Sequence, residues 1–233
     1  MQSSQKFDVI IIGAGPAGYA AAAQLAKSQK KIAIIENSQP GGVCLNRGCI
    51  PTTLLLNIAE FIKRLKKADD YGIEISDYKI NFQKILARKN FVVETHRKGI
   101  LQAFKKLNIS YFDGFAKFED AHTITVSFAT ADNSVTDNYL KLQADNFILA
   151  VGSKPIVPLN INFSYSKIFT ADRILQISEI PKKIAIIGAG VTGCEFAYFF
   201  NELGTEVYLI DAAENILPIE IDEDIHKIFV REL

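Results

Sequence analysis

The chain contains its own opening twice. FDVIIIGAGPAGYAAAAQLAKSQKKIAIIEN begins it, and KKIAIIGAGVTGCEFAYFFNELGTEVYLIDA returns in the second half. Gly13, Gly15 and Gly18 align with Gly188, Gly190 and Gly193 without a gap, and Glu36 aligns with Asp211. Each copy reads as a buried strand, a glycine turn, a helix and a second strand. A lone GxGxxG is a weak signal, but here the strand before it, the helix after it and the acid closing the next strand are all present twice. In such a unit the first glycine makes the tight turn, the second lets backbone approach a pyrophosphate, and the third lets helix and strand pack closely. The pyrophosphate rests on the amides and positive end of the helix, and the acid accepts hydrogen bonds from ribose hydroxyls. The expected fold class is α/β with two Rossmann-like dinucleotide-binding modules. At the second, Asp211 would repel a 2′-phosphate and Ala212 and Ala213 follow it with no arginine nearby, which favours NAD over NADP.

Bulk properties exclude other classes. Twenty-six basic residues cancel 26 acidic ones, so no net charge points to nucleic acid or an anionic membrane. The apolar stretch from Val9 to Ala23 resembles a signal sequence superficially. Asp8 precedes it, no basic cluster leads it, and Gly13, Gly15, Pro16 and Gly18 interrupt it. It is too short and too broken to span a bilayer. Met1 to Lys6 is too short for a transit peptide, so the expectation is a soluble, cytoplasmic chain.

Between the two copies the sequence changes character. Pro51 to Lys67 predicts a helix with Leu55, Ile58, Ile62 and Leu65 on one stripe, and Phe82 to Leu107 predicts a second long helix. Tyr111 to Leu142 alternates polar and apolar residues around Asp120-Ala121 and Ala131-Asp132-Asn133, which suggests an antiparallel meander. NFILAVGSKP then reads as a buried strand ending in a glycine turn. The first domain boundary is placed just after it, near Gly152, with Pro155, Pro158 and Pro181 bracketing a connector.

The third feature is GGVCLNRGCIPT, directly after the first nucleotide unit. Cys44 and Cys49 have four residues between them, and one turn of chain can bring two such sulfurs into bonding range. Cys49 begins a predicted helix, where the dipole favours a thiolate. A zinc site needs two more ligands, and His96, His122 and His226 show no ligand spacing. A structural disulfide is at odds with an intracellular setting. A redox pair and two free thiols both stay open on the residues alone. Cys194, alone on a helix after Gly193, reads as a packing residue.

Taken together, these motifs resemble the pyridine nucleotide–disulfide oxidoreductase family across the whole chain. The Leu-Asn and Ile-Pro flanks are similar to its dihydrolipoamide dehydrogenase branch more than to glutathione or mercuric reductases, and thioredoxin reductase carries a closer-spaced cysteine pair in its NAD domain. The resemblance implies that residues 1–152 bind FAD and carry a redox disulfide, and that 153–233 are a linker and an incomplete NAD-binding domain. It implies that Gly13, Gly15, Gly18 and Glu36 hold the FAD pyrophosphate and adenosine ribose. Gly42, Val43 and Cys44 would lie along the flavin, Ala116 near the adenine, and Gly152 and Ser153 by the cofactor. Cys44 would be the interchange thiol, Cys49 the thiol beside the flavin, and Glu195 would lie near flavin and nicotinamide. Gly188, Gly190, Gly193 and Asp211 would hold NAD. The implied reaction takes electrons from dihydrolipoamide through the Cys44–Cys49 disulfide and FAD to NAD. The implied partners are a lipoyl-bearing protein of a 2-oxo acid dehydrogenase or related complex and, for the full-length protein, a second copy of itself, with no nucleic acid or membrane.

Two departures temper that picture. The family has lysine where this chain has Thr53, paired with the glutamate that Glu195 matches. The chain also stops at Leu233, inside the NAD module, before the family's last FAD-contacting segment, dimerisation domain and catalytic histidine. The alternatives are therefore a related disulfide reductase and a truncated flavin-binding remnant, and these 233 residues alone are not expected to match full-length turnover.

Overall fold

The computed structural model describes residues 4–129, 135–156, 167–217 and 222–232. The expected turn at Ala131-Asp132-Asn133, Pro158 of the connector and Met1 lie outside them. The chain forms two compact units, each drawn from two stretches: Met1–Cys49 with Phe91–Ile161, and Ile50–Asn90 with Asn162–Leu233.

The first unit begins with β1 (Gln5–Ile12), α1 (Pro16–Ala26) and β2 (Ile32–Glu36), the expected strand–turn–helix–strand. A short helix α2 (Gly42–Arg47) follows; the chain then enters the second unit with α3 (Cys49–Lys66) and the start of α4 (Phe82–Lys106), both close to the predicted helices, and returns to the first unit along the rest of α4. Strands β3 (Ser110–Asp113), β4 (Phe115–Phe118), β5 (Thr123–Ala129) and β6 (Val135–Leu149) complete a six-stranded sheet of order β3-β2-β1-β6-β5-β4. β1, β2 and β3 run parallel, with Val9 opposite Ile32 and Ala33 opposite Ser110. Both faces of this centre are covered. Val9, Ile11, Ile32 and Ile34 pack with Ala22 of α1 and Phe104 of α4. Phe7, Ile10, Ala33 and Ile35 pack with Ile124, Val126, Leu142 and Ala144. That is why the strands read as unbroken apolar runs.

The meander differs from expectation at both ends. Tyr111 belongs to β3, which pairs in parallel with β2. The antiparallel strands are β4, β5 and β6. β6 does not stop at Leu142: it runs for 15 residues, pairing with β5 and then with β1 from Leu142 to Leu149. The last meander strand and the NFILAV strand are one element, since neither Gly nor Pro interrupts the chain between them. The break at the other end comes at Gly114, where a side chain would stand 2.6 Å from the Ser127 carbonyl of β5.

In the second unit, α5 (Ala171–Ile174) precedes β7 (Lys183–Ile187), α6 (Val191–Glu202) and β8 (Glu206–Ile210), and α7 (Glu223–Glu232) comes last. β7 and β8 are parallel, and among the described residues no third strand joins them. Phe196, Phe199 and Phe200 of α6 form the core with Leu55, Ala59 and Ile62 of α3, Phe82 of α4 and Leu175. Ile184, Ile186 and Val207 pack against it from one face of the strand pair. Ile187, Tyr208 and Ile210, on the other face, are exposed, so this copy is half-buried where the first is buried on both sides.

Candidate active site

The two glycine turns match atom for atom. The Gly13 amide donates to Ile35 O at 2.7 Å, and the Gly188 amide donates to Ile210 O at 2.8 Å. A Cβ on Gly18 would stand 1.9 Å from the Gly13 carbonyl oxygen, and one on Gly193 1.8 Å from that of Gly188. Only glycine lets each helix sit this close to its turn. Glu36 accepts hydrogen bonds from the amides of Ala14 (2.8 Å) and Ser38 (3.0 Å). Asp211 accepts them from Ala189 (2.6 Å) and Ala213 (2.7 Å). The Ala213 amide, then that of Ala189, holds the Asp211 carboxyl below its usual range. Each acid thus braces its own turn.

Both helix starts fit a diphosphate. The N-caps, Gly15 and Gly190, make no side-chain cap, leaving the first-turn amides free of protein acceptors from that side. A Cβ on Gly190 would meet nothing within 4 Å, so a ligand can approach the backbone there. At Gly15 the nearest atom to such a Cβ is the Gly42 Cα, 3.6 Å away.

That contact brings in the cysteines. The Gly41 amide donates to Ala14 O at 2.8 Å, and Gly42 lies at φ +60°, so α2 starts directly on the first turn. Val43 and Cys44 are on its opening turn, and Gly48 separates it from α3, whose first residue is Cys49. Cys44 is half-buried and Cys49 exposed. Both are free thiols. The neighbouring Cys49 side chain, with burial, pushes the Cys44 thiol up. Gly13, Gly15, Gly18, Glu36, Gly42, Val43, Cys44 and Cys49 come together in the first unit. Ala116 is half-buried on β4, against the Phe7 and Ile10 cluster. Gly152 and Ser153 are exposed just beyond β6.

In the second unit, Gly188, Gly190, Gly193 and Asp211 form the other turn. Glu195 is half-buried on α6, and burial pushes its carboxyl up. It makes no ion pair among the described residues, and Thr53 is exposed on α3. Cys194 is buried and its thiol donates to Ala189 O at 3.4 Å, a packing role as read from sequence. Among the described residues no group of three or more His, Cys, Asp and Glu could hold a metal ion. None of the described helices is long and apolar enough to cross a membrane.

Asn46 and Arg97 were not legible as site residues. The Asn46 amide group donates to Gln39 O and Pro40 O, both at 3.2 Å, and to Gly42 O at 2.9 Å. Its Oδ1 accepts from Arg97 Nε of α4 at 2.5 Å. An asparagine between two cysteines was the available signal for the first. Arg97 is 51 positions away, and no local pattern pointed to it.

A family model for pyridine nucleotide-disulphide oxidoreductases matches residues 7–233. The chain belongs to that family. Family membership implies FAD, and the fold is the mixed α/β fold of flavoprotein disulfide reductases. Dihydrolipoyl dehydrogenase of Chlamydia pneumoniae is 36% identical over 232 residues, covering 98% of this chain and 48% of the relative. The enzyme of the same name from Acholeplasma laidlawii is 34% identical, covering 99% and 66%. The soluble pyridine nucleotide transhydrogenase of a Marinomonas species is 35% identical, covering 95% and 47%. Among solved structures, the Cu(II) complex of the HOCl-induced flavoprotein disulfide reductase RclA from Escherichia coli superposes with a TM-score of 0.79 at 28% identity, covering 98% of this chain and 48% of that one. The chain spans about half the length of most of these relatives.

Proposed function

We propose that this chain serves the oxidation of dihydrolipoamide to lipoamide, with Cys44 and Cys49 as the redox couple, FAD as carrier and NAD as acceptor. The observation that carries the reading is the start of α2 on the Gly13–Gly15 turn, which sets the dithiol beside a dinucleotide cradle. Gly13, Gly15, Gly18 and Glu36 would hold FAD, with Val43, Ala116, Gly152 and Ser153 along it, and Gly188, Gly190, Gly193 and Asp211 would hold NAD. FAD, when bound, takes an electron pair from a thiolate and can pass it to a nicotinamide as hydride.

The chain's own chemistry is thiol–disulfide exchange. With Cys44 and Cys49 joined, a substrate thiolate attacks Cys44 Sγ, a mixed disulfide forms, and Cys49 leaves as thiolate. The second substrate thiolate then attacks its own sulfur in that mixed disulfide, closing the lipoyl ring and releasing Cys44. The neighbouring Cys49 side chain and burial push the Cys44 thiol up, which favours its protonated form once the disulfide is open. On this reading the partners are a lipoyl-bearing protein and a second copy of the full-length protein.

A second reading, a related disulfide reductase acting on another substrate, is favoured by exposed Thr53 and by Glu195, which makes no ion pair among the described residues. One panel separates the two. The chain is loaded with FAD and mixed anaerobically with dihydrolipoamide, with glutathione or with NADH, and flavin absorbance is followed. Dihydrolipoamide should bleach the flavin, and Cys44→Ser should abolish bleaching. Bleaching by NADH with none by dihydrolipoamide would overturn the first reading in favour of the second.

A further inference from the structure

Helix α2 carries Cys44 and has only six residues. A helix that short has no stability of its own. Its N-cap, Gly41, supplies no side-chain cap, and Gly48 ends it. Its orientation therefore depends on ties to its surroundings, and the Asn46 side chain is where these converge. The Asn46 amide group holds the incoming loop through the carbonyls of Gln39, Pro40 and Gly42. On its other side, Oδ1 takes the Arg97 Nε hydrogen bond at 2.5 Å. Bonds from a charged donor are the stronger kind. The Arg97 side chain is 25% exposed and also meets Glu94 Oε2 at 3.3 Å, an intrahelical pair near the surface. Such pairs add little, so the link to Asn46 is the consequential one.

We infer that Arg97 is a positioning residue for the Cys44–Cys49 couple. It acts through Asn46 to fix α2 at the angle that keeps the two sulfurs together. Its charge does not act on the thiol directly, since the shift at Cys44 arises from Cys49 and burial. The inference rests on the reading of the cysteines as a redox couple.

The test equilibrates the whole chain with glutathione buffers of graded ratio, traps free thiols, and maps the Cys44–Cys49 disulfide by mass spectrometry. One glutathione disulfide oxidises the dithiol, forming the internal S–S bond and two glutathione thiols, so the equilibrium constant reads how well the two sulfurs are held for bonding. Arg97→Leu should lower that constant about tenfold, and Arg97→Lys, which keeps a cationic donor on a long stem, about threefold. Thermal midpoints are measured alongside. A merely structural role would lower the midpoint of Arg97→Leu and leave the constant of the folded protein unchanged. Should Arg97→Leu fail to fold, Arg97→Lys decides alone. Wild-type protein that forms the disulfide, with variants within twofold of it, overturns the inference and leaves the redox reading intact. Wild-type protein that forms no internal disulfide at any ratio overturns both.

Discussion

Gly42 shows how narrowly single residues are constrained here. Its φ of +60° disfavours a side chain, and a Cβ would lie 2.7 Å from the Gly15 Cα. Gly42→Ala should destabilise the first unit by about 1–3 kcal/mol and weaken FAD binding, measurable by denaturant titration and flavin fluorescence. A variant equal to wild type in both would contradict the contact. At Asp211 the argument concerns cofactor choice. Asp211→Ser should narrow the preference for NAD over NADP by about tenfold or more, read by binding titrations with both. Equal wild-type affinities would remove the basis for it. Glu195 predicts a pH dependence. Burial raises its folded-state carboxyl above the ordinary 4.5, so the protonated form is favoured on folding. Its contribution to stability is complete below 4.5 and is lost as pH rises through the raised value. Glu195→Gln should therefore gain thermal midpoint relative to wild type at pH 7 compared with pH 4, and an offset that is the same at both would refute the assignment. The sequence made Gly42, Asp211 and Glu195 legible because each sits in a motif. Arg97 was not, because its partner is reached through folding rather than through spacing.

Elements were legible where one periodicity ruled. The β1–α1–β2 and β7–α6–β8 units and helices α3 and α4 follow from apolar spacing, and of the stripe Leu55, Ile58, Ile62 and Leu65 the first three face a core, while Leu65 is half-buried outside it. β6 was not legible as one strand. Its first half pairs with β5 and its second with β1, so the pattern of polar and apolar residues changes along a single element. The second unit's core also exceeded expectation, since α6 contributes three phenylalanines to it. Phe199 and Phe200 meet edge to face with centroids 5.1 Å apart. Around them, Lys66 Nζ binds Glu202 Oε2 at 2.8 Å, and the Tyr198 hydroxyl donates to Glu60 at 2.9 Å, tying α3 to α6. Phe200→Ala should cost about 3–5 kcal/mol in denaturant unfolding. A loss under about 1 kcal/mol would mean that the cluster repacks around the gap.

At the scale of the whole molecule, the two compact units are interleaved along the chain, each built from two separated stretches. The long strand β6 gives this interleaving a consequence in time. It supplies β1 with its second neighbour, with Gln5 opposite Leu142 and Ile12 opposite Leu149, and just past its end the Ala150 carbonyl closes over Gly13. On the ribosome, β1 emerges before β6 and waits while the more than a hundred residues between them are made, roughly ten seconds at ordinary synthesis rates. Through that interval one edge of a strongly apolar strand has no permanent partner, and the first nucleotide cradle stands open. The last piece to arrive is the one that finishes the site nearest the beginning, so this cradle is completed late in translation, and a nascent chain stalled before residue 149 exposes the edge that chaperones and aggregation both seek.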